Sequence, residues 1–265
     1  MRRYLLGLML LPLSLTAGCG FRWWQESPQS LNASSTTPAM KAKGIIYILP
    51  GIQGMDDHYT AIRQGLRRAG VRSAIEIHLW GSQIPGVKLA VNEMGTDAGR
   101  DWGRKIAEDI CEYQRVYPGR TVHLIGQSGG SAVAIFVLEA LAESGATPVT
   151  GVILLDASLS ADYDLTVALG KSTQGIVNFR NSEDVAALGV GTAVMGNLDG
   201  GHGDSAGRTG FKASPLKLYE VKVTPSMVSA SDASHFADTS AAFAVKYIAP
   251  WIMQRRWPVP VAVIK

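Results

Sequence analysis

Apolar residues follow two rhythms between residues 44 and 253. The first is a set of short unbroken runs: Gly44 to Leu49 (GIIYIL), Thr121 to Ile125 (TVHLI), Val149 to Leu155 and Gly175 to Phe179. Each is long enough for a strand and too short for a helix, and Gly44 to Leu49 is apolar on both faces, as a central parallel strand is. Ser73 to Trp80 instead alternates Ile75, Ile77 and Leu79 against Glu76 and His78, which predicts a less buried strand near an edge. Leu216 to Val223 is the last predicted strand. The second rhythm has helical spacing. It predicts a helix from about Asp57, with Ile62, Leu66 and Ala69 inward and Gly70 as the stop, and a helix from Thr96 to Tyr117 on Trp102, Ile106, Ile110 and Tyr113. Ala132 to Leu141 is a longer apolar run of good helix formers, and a final helix covers about 237–253. Strand and helix alternate throughout. This predicts an α/β fold, a doubly wound, mostly parallel sheet with helices on both faces, whose ligand site lies at the carboxyl ends of the strands.

The flanks carry a different pattern. Arg2 and Arg3 precede an apolar stretch from Tyr4 to Leu15 that is too short to span a bilayer well. It closes on Leu15-Thr16-Ala17-Gly18-Cys19. This resembles the lipobox of bacterial lipoproteins, with Thr16 standing where leucine is preferred, and implies lipidation of Cys19 with a fatty acyl group such as palmitate. An ordinary secretory signal is the alternative. Both place the mature protein outside the cytoplasm, and the first anchors it to a membrane of the cell envelope. Residues 20–43, rich in Ser, Thr, Pro, Ala and Gln, read as a flexible tether. Trp23 and Trp24, just after the cysteine, suit a lipid interface. Thus 1–19 is a signal segment, 20–43 a linker, 44–253 the folded domain, and 254–265 a tail with a possible edge strand from Pro258 to Ile264.

Composition adds exclusions. Of 265 residues, 46% are hydrophobic and 18% charged, a balance that folds rather than stays disordered. A net charge of +3, with scattered basic residues, gives no reason to expect nucleic acid as a partner. There are two cysteines, so no cysteine metal cluster forms; Cys111, beside Ile110 in a helical pattern, reads as a buried apolar-like thiol. Gly196 to Asp204 is glycine- and aspartate-rich, but it follows no strand-to-helix pattern and supports neither a phosphate loop nor a dinucleotide fingerprint; a mobile loop near the mouth of the site is expected ahead of metal binding.

Chemistry concentrates where the third strand meets the helix after it. Gly126-Gln127-Ser128-Gly129-Gly130 fits G-x-S-x-G in a strand–turn–helix context, which makes Ser128 a candidate nucleophile on a strained turn. A serine hydroxyl needs a base, and the base an orienting acid. Of five histidines, His78 and His123 lie inside strands, upstream of any strand-end site. His235 follows the last strand and is the preferred base, ahead of His202 and His58. For the acid, Asp184, in the turn after the 175–179 strand, is preferred over Asp156 and Glu183. An oxyanion needs two backbone donors. The amide of Gly129 is one; the loop Pro50-Gly51-Ile52-Gln53-Gly54 offers the other at Ile52 or Gln53.

With these residues in place, the chain resembles the α/β-hydrolase superfamily over about residues 44–253. The resemblance rests on the order Ser128, Asp184, His235, on the elbow, and on the early strand ending in Pro-Gly-Ile-Gln-Gly. It implies a Ser–His–Asp triad, an acyl-enzyme intermediate and no cofactor. The chain lacks the family's antiparallel hairpin before Gly44, so about six strands are expected. The expected protein is a lipid-anchored serine esterase or lipase acting on a small-molecule or lipid ester. Acyl transfer to another acceptor, or a non-catalytic binding lipoprotein of the same fold, are the alternatives. Gln127 points to no particular substrate.

Overall fold

Six strands form one parallel sheet in the computed structural model, which describes residues 28–81, 96–183, 197–228 and 235–258. In chain order they are β1 (Ile45–Leu49), β2 (Ala74–Ile77), β3 (Val122–Gln127), β4 (Gly151–Leu155), β5 (Ile176–Arg180) and β6 (Leu218–Lys222). Their spatial order is β2-β1-β3-β4-β5-β6, so β2 is indeed an edge strand. Every residue of β1, β3 and β4 is buried, as their unbroken apolar runs require.

The sheet separates two apolar cores. On one face, α3 (Asp57–Arg68) packs Ile62 and Leu66 against Ile46, Ile48, Ile75 and Ile77. On the other, α4 (Thr96–Val116) and α5 (Gly129–Glu143) pack against Tyr47, Leu124, Val152 and Leu154. α5 is apolar around most of its circumference, which fits a helix buried on nearly every side. Cys111 is only partly buried, on the flank of α4, rather than sealed in the core.

Two segments differ from expectation. Of the expected tether 20–43, the part from Pro28 onward is folded: α1 (Pro28–Asn32), a 3-10 turn (Ala33–Ser35) and α2 (Pro38–Lys41) lie along the sheet edge. The Asn32 side chain acts as one more strand position there. Its Nδ2 donates to Ile77 O at 3.0 Å and its Oδ1 accepts from the Ile77 N–H at 2.9 Å. The expected helix over 237–253 is a composite of a 3-10 turn (Ala237–Thr239), α8 (Ala241–Phe243), a π turn (Ala244–Ile248) and α9 (Ala249–Met253). Pro250 supplies the reason: it has no N–H for the Lys246 carbonyl and its ring would collide with it, so the run widens by one residue. The short helices α6 (Thr166–Gly170) and α7 (Ala206–Thr209), in stretches without clear sequence period, complete the set among the described residues. At the tail, Trp257 folds back under Gly151 and donates to Trp251 O at 2.7 Å; the rest of the possible edge strand lies outside the described residues.

Candidate active site

The sheet order fixes where a ligand belongs. From β1 the chain steps outward to β2, then returns to the other side of β1 to form β3. β1 is followed by α3 on one face, and β3 by α5 on the opposite face. Their connections part at the carboxyl ends of the two strands, opening the crevice in which doubly wound sheets hold ligands. Ser128 and the 50–54 loop occupy that point.

Ser128 has φ 51° and ψ −123°, a conformation that L-residues seldom adopt. The surroundings hold it there. The Ser128 N–H donates to Leu155 O at 2.9 Å, while its own carbonyl accepts from Ser131 N–H at 2.9 Å and Ser158 N–H at 3.2 Å. The Ser131 hydroxyl ties in beneath, donating to Gly126 O at 2.7 Å. The glycines serve close approach: a Cβ on Gly126 would lie 2.6 Å from Ser131 Cα, and one on Gly130 would collide with the carbonyl oxygens of Leu49 and Pro50. From Val122 to Leu138 every residue is buried except Ser128. The turn thus lifts a single hydroxyl-bearing residue out of an otherwise closed strand and helix.

The turn that carries Ile52 and Gln53 lies beside it. Gly51 to Gly54 form a tight turn, closed by the Gly54 N–H to Gly51 O bond at 2.9 Å, with Ile52 and Gln53 at its centre. A Cβ on Gly51 would stand 3.3 Å from Ser128 Cβ, and one on Gly129 would stand 2.8 Å from Ile52 Cγ2, so the turn lies directly against the elbow. Gly129 is the first residue of α5, where amides have no acceptor inside the helix. Trp80, buried below, donates from Nε1 to Pro50 O at 2.5 Å and braces the loop from the β2 side.

His235 is brought to the elbow through its backbone: its carbonyl accepts from Gln127 Nε2 at 3.2 Å. Its ring meets Phe236 edge-on, with centroids 5.3 Å apart. The same Phe236 stacks on His58 at 4.3 Å, and His58 Nδ1 lies 3.1 Å from Thr239 Oγ1. His58 therefore buttresses the segment that carries His235. The remaining histidines lie elsewhere. His202 is exposed, His78 pairs with Glu76 at 3.0 Å, and His123 is buried in β3, where desolvation pushes its pKa down to about 4.

Of the candidate acids, Asp156 is fully buried at the end of β4 with φ 46°. Glu183 donates its N–H to Asn181 Oδ1 at 3.1 Å, in the turn that leads toward Asp184. Asp184 lies outside the described residues, as does Cys19. In the Asp- and Gly-rich segment, Asp199 accepts from the Ser160 N–H at 3.0 Å and Asp204 pairs with Arg208, so both carboxylates brace loops.

Sequence reasoning missed a buried chain of polar groups beneath the site. The Gly51 N–H donates to Tyr59 Oη at 2.8 Å, and Tyr59 donates in turn to Gln127 Oε1 at 3.0 Å. Both side chains are buried. Burial and the nearby carboxylates of Asp56 and Asp238 push the Tyr59 phenol's pKa well up, so it stays a proton donor. Gln127 was visible as the polar residue before the serine, but nothing in the sequence pairs it with Tyr59.

No family model and no curated protein matches this chain. Among solved structures it is similar to the mature lipase BlEst2 of Bacillus licheniformis, at 15% identity and TM-score 0.47, over 81% of this chain and 93% of that one. It is also similar to esterase PE8, at 16% identity and TM-score 0.46, over 78% and 94%. ClbQ from the colibactin NRPS/PKS pathway is similar at 12% identity and TM-score 0.45, over 79% and 97%.

Proposed function

We propose that this chain is a serine hydrolase of the α/β-hydrolase type that cleaves carboxylic esters. The observation that carries the reading is Ser128: a strained residue, alone in not being buried between Val122 and Leu138, at the point where the loops after β1 and β3 part. In the proposed cycle Ser128 Oγ attacks the ester carbonyl while His235 accepts its proton. The developing oxyanion takes hydrogen bonds from the Gly129 amide and from that of Ile52 or Gln53. Collapse of the tetrahedral intermediate expels the alcohol, which receives the proton from His235. Water, deprotonated by the same imidazole, then releases the acid from Ser128. Asp184 is assigned the orienting carboxylate.

A fluorophosphonate probe is expected to label the wild-type chain at Ser128, and Ser128→Ala to abolish both labelling and turnover of short p-nitrophenyl esters. Full ester turnover by that variant defeats the proposal. Product analysis with an added alcohol or amine separates hydrolysis from acyl transfer. We also assign Cys19 as the lipidated residue that anchors the enzyme in the cell envelope. Incorporation of an alkyne-tagged palmitate in a bacterial host, lost in Cys19→Ser, tests this; equal incorporation in both forms refutes it.

A further inference from the structure

The polar chain under the elbow ties together three segments that must act in concert. One end is the Gly51 N–H, in the turn that offers the Ile52 and Gln53 amides. The other end is the carbonyl of His235. Between them stand one phenol and one carboxamide. Gln127 uses both ends of its amide, accepting from Tyr59 at 3.0 Å and donating to His235 at 3.2 Å. The amide orientation is therefore fixed by the network rather than free to flip. Gln127 also adjoins the nucleophile in the chain, so any shift of its side chain is referred to Ser128 directly. All four groups are buried or part-buried, where hydrogen bonds hold geometry more strictly than at a wet surface.

We infer that Tyr59 and Gln127 are positioning residues that lock the oxyanion turn and the His235 segment to the nucleophile through a single chain of hydrogen bonds. The inference rests on the serine hydrolase reading. Neither residue touches substrate. Their role is to hold donors and base at the distances acyl transfer needs, where a displacement on the order of 1 Å costs roughly a hundredfold in rate. A tie of this kind acts on the transition state, so it belongs in kcat and not in KM.

The test uses the full chain carrying Tyr59→Phe, Gln127→Met and both together, assayed on a short p-nitrophenyl ester alongside thermal melting. Tyr163→Phe is the control. It also removes a part-buried tyrosine hydroxyl, bonded to Glu139 of α5 and Arg100 of α4, and is expected to lower Tm with kcat unchanged. Each site variant is expected to lose roughly 10- to 100-fold in kcat, with KM within about threefold of wild type. Because the two side chains share one bond, the double variant is expected within about twofold of Gln127→Met alone. Unchanged kcat in folded variants, losses that multiply in the double variant, or a loss that appears only in KM, overturns the inference. An active, probe-labelled wild type with any of those results sinks this inference alone. A wild type that neither labels nor turns over ester sinks the hydrolase reading and this inference with it.

Discussion

His123 offers a quantitative test of how tightly the sheet is sealed. It is the second residue of β3, paired with Ile46 of β1 and Gly151 of β4, and is 2% exposed. Its Nε2 has no hydrogen-bond partner among the described residues. Burial lowers its pKa from an ordinary 6.5 to about 4, so the folded chain holds it neutral. Above both values neither the folded nor the unfolded form binds a proton, and the stability is intact. As the pH falls below 6.5 the unfolded imidazole takes up a proton that the folded one refuses, and stability drops until the folded pKa is passed. The full separation is worth about 3 kcal/mol, at about 1.4 kcal/mol per tenfold change in proton affinity. Between about pH 7.5 and about pH 5 the loss is about 2 kcal/mol. Asp109 and Glu220, whose carboxyl pKa values burial pushes up, titrate with the opposite sign, but they are common to wild type and variant. Urea unfolding at the two pH values, for wild type and His123→Leu, isolates the imidazole. Wild type is expected to lose about 2 kcal/mol more than the variant on acidification. Equal losses would falsify the claim that a neutral, desolvated imidazole lies in this sheet.

The other expectations concern the elbow, the edge and the acid. Gly130→Ala places a methyl group against the Leu49 and Pro50 carbonyls, neither of which is a side chain that can swing aside. It is expected to cost about 3 kcal/mol in urea unfolding and to reduce probe labelling; unchanged stability contradicts the close approach of α5 to β1. Asn32→Ala strips both partners from the Ile77 backbone, for roughly 2–4 kcal/mol, and a stability within about 0.5 kcal/mol of wild type refutes the edge role. Asp184→Asn is expected to lower kcat roughly a thousandfold or more, whereas a larger loss in Asp156→Asn at equal folded fraction would transfer the orienting role to Asp156.

Most of the fold was legible because burial on both faces leaves its mark on composition. The runs at 44–49, 121–125 and 149–155 are apolar along most of their length, as strands in the middle of a parallel sheet are. The edge position of β2 was legible for the converse reason, since Glu76 interrupts its apolar register and His78, predicted within it, follows directly after its last residue. The strained elbow at Ser128 was legible through local sterics, because glycine is the residue that fits where α5 passes close to the end of β1. What escaped was non-local. Asn32 reaches a strand 45 positions away, and Tyr59 meets Gln127 across 68. Periodicity reports which face a residue takes, not which distant amide it will meet. The final helix was read as continuous because its apolar spacing is right; the break at Pro250 depends on one missing N–H.

The two apolar layers have a consequence for heat inactivation. The serine and its neighbouring amide are carried by one layer, through α5, while the Tyr59 tie and the His235 segment belong to the other, through α3 and the C-terminal run. On the proposed reading, catalytic competence is a property of the seam, and loosening either half by about 1 Å costs roughly a hundredfold in rate. Warming is expected to extinguish turnover several degrees before the helical signal melts, and that activity should return on cooling from the interval between.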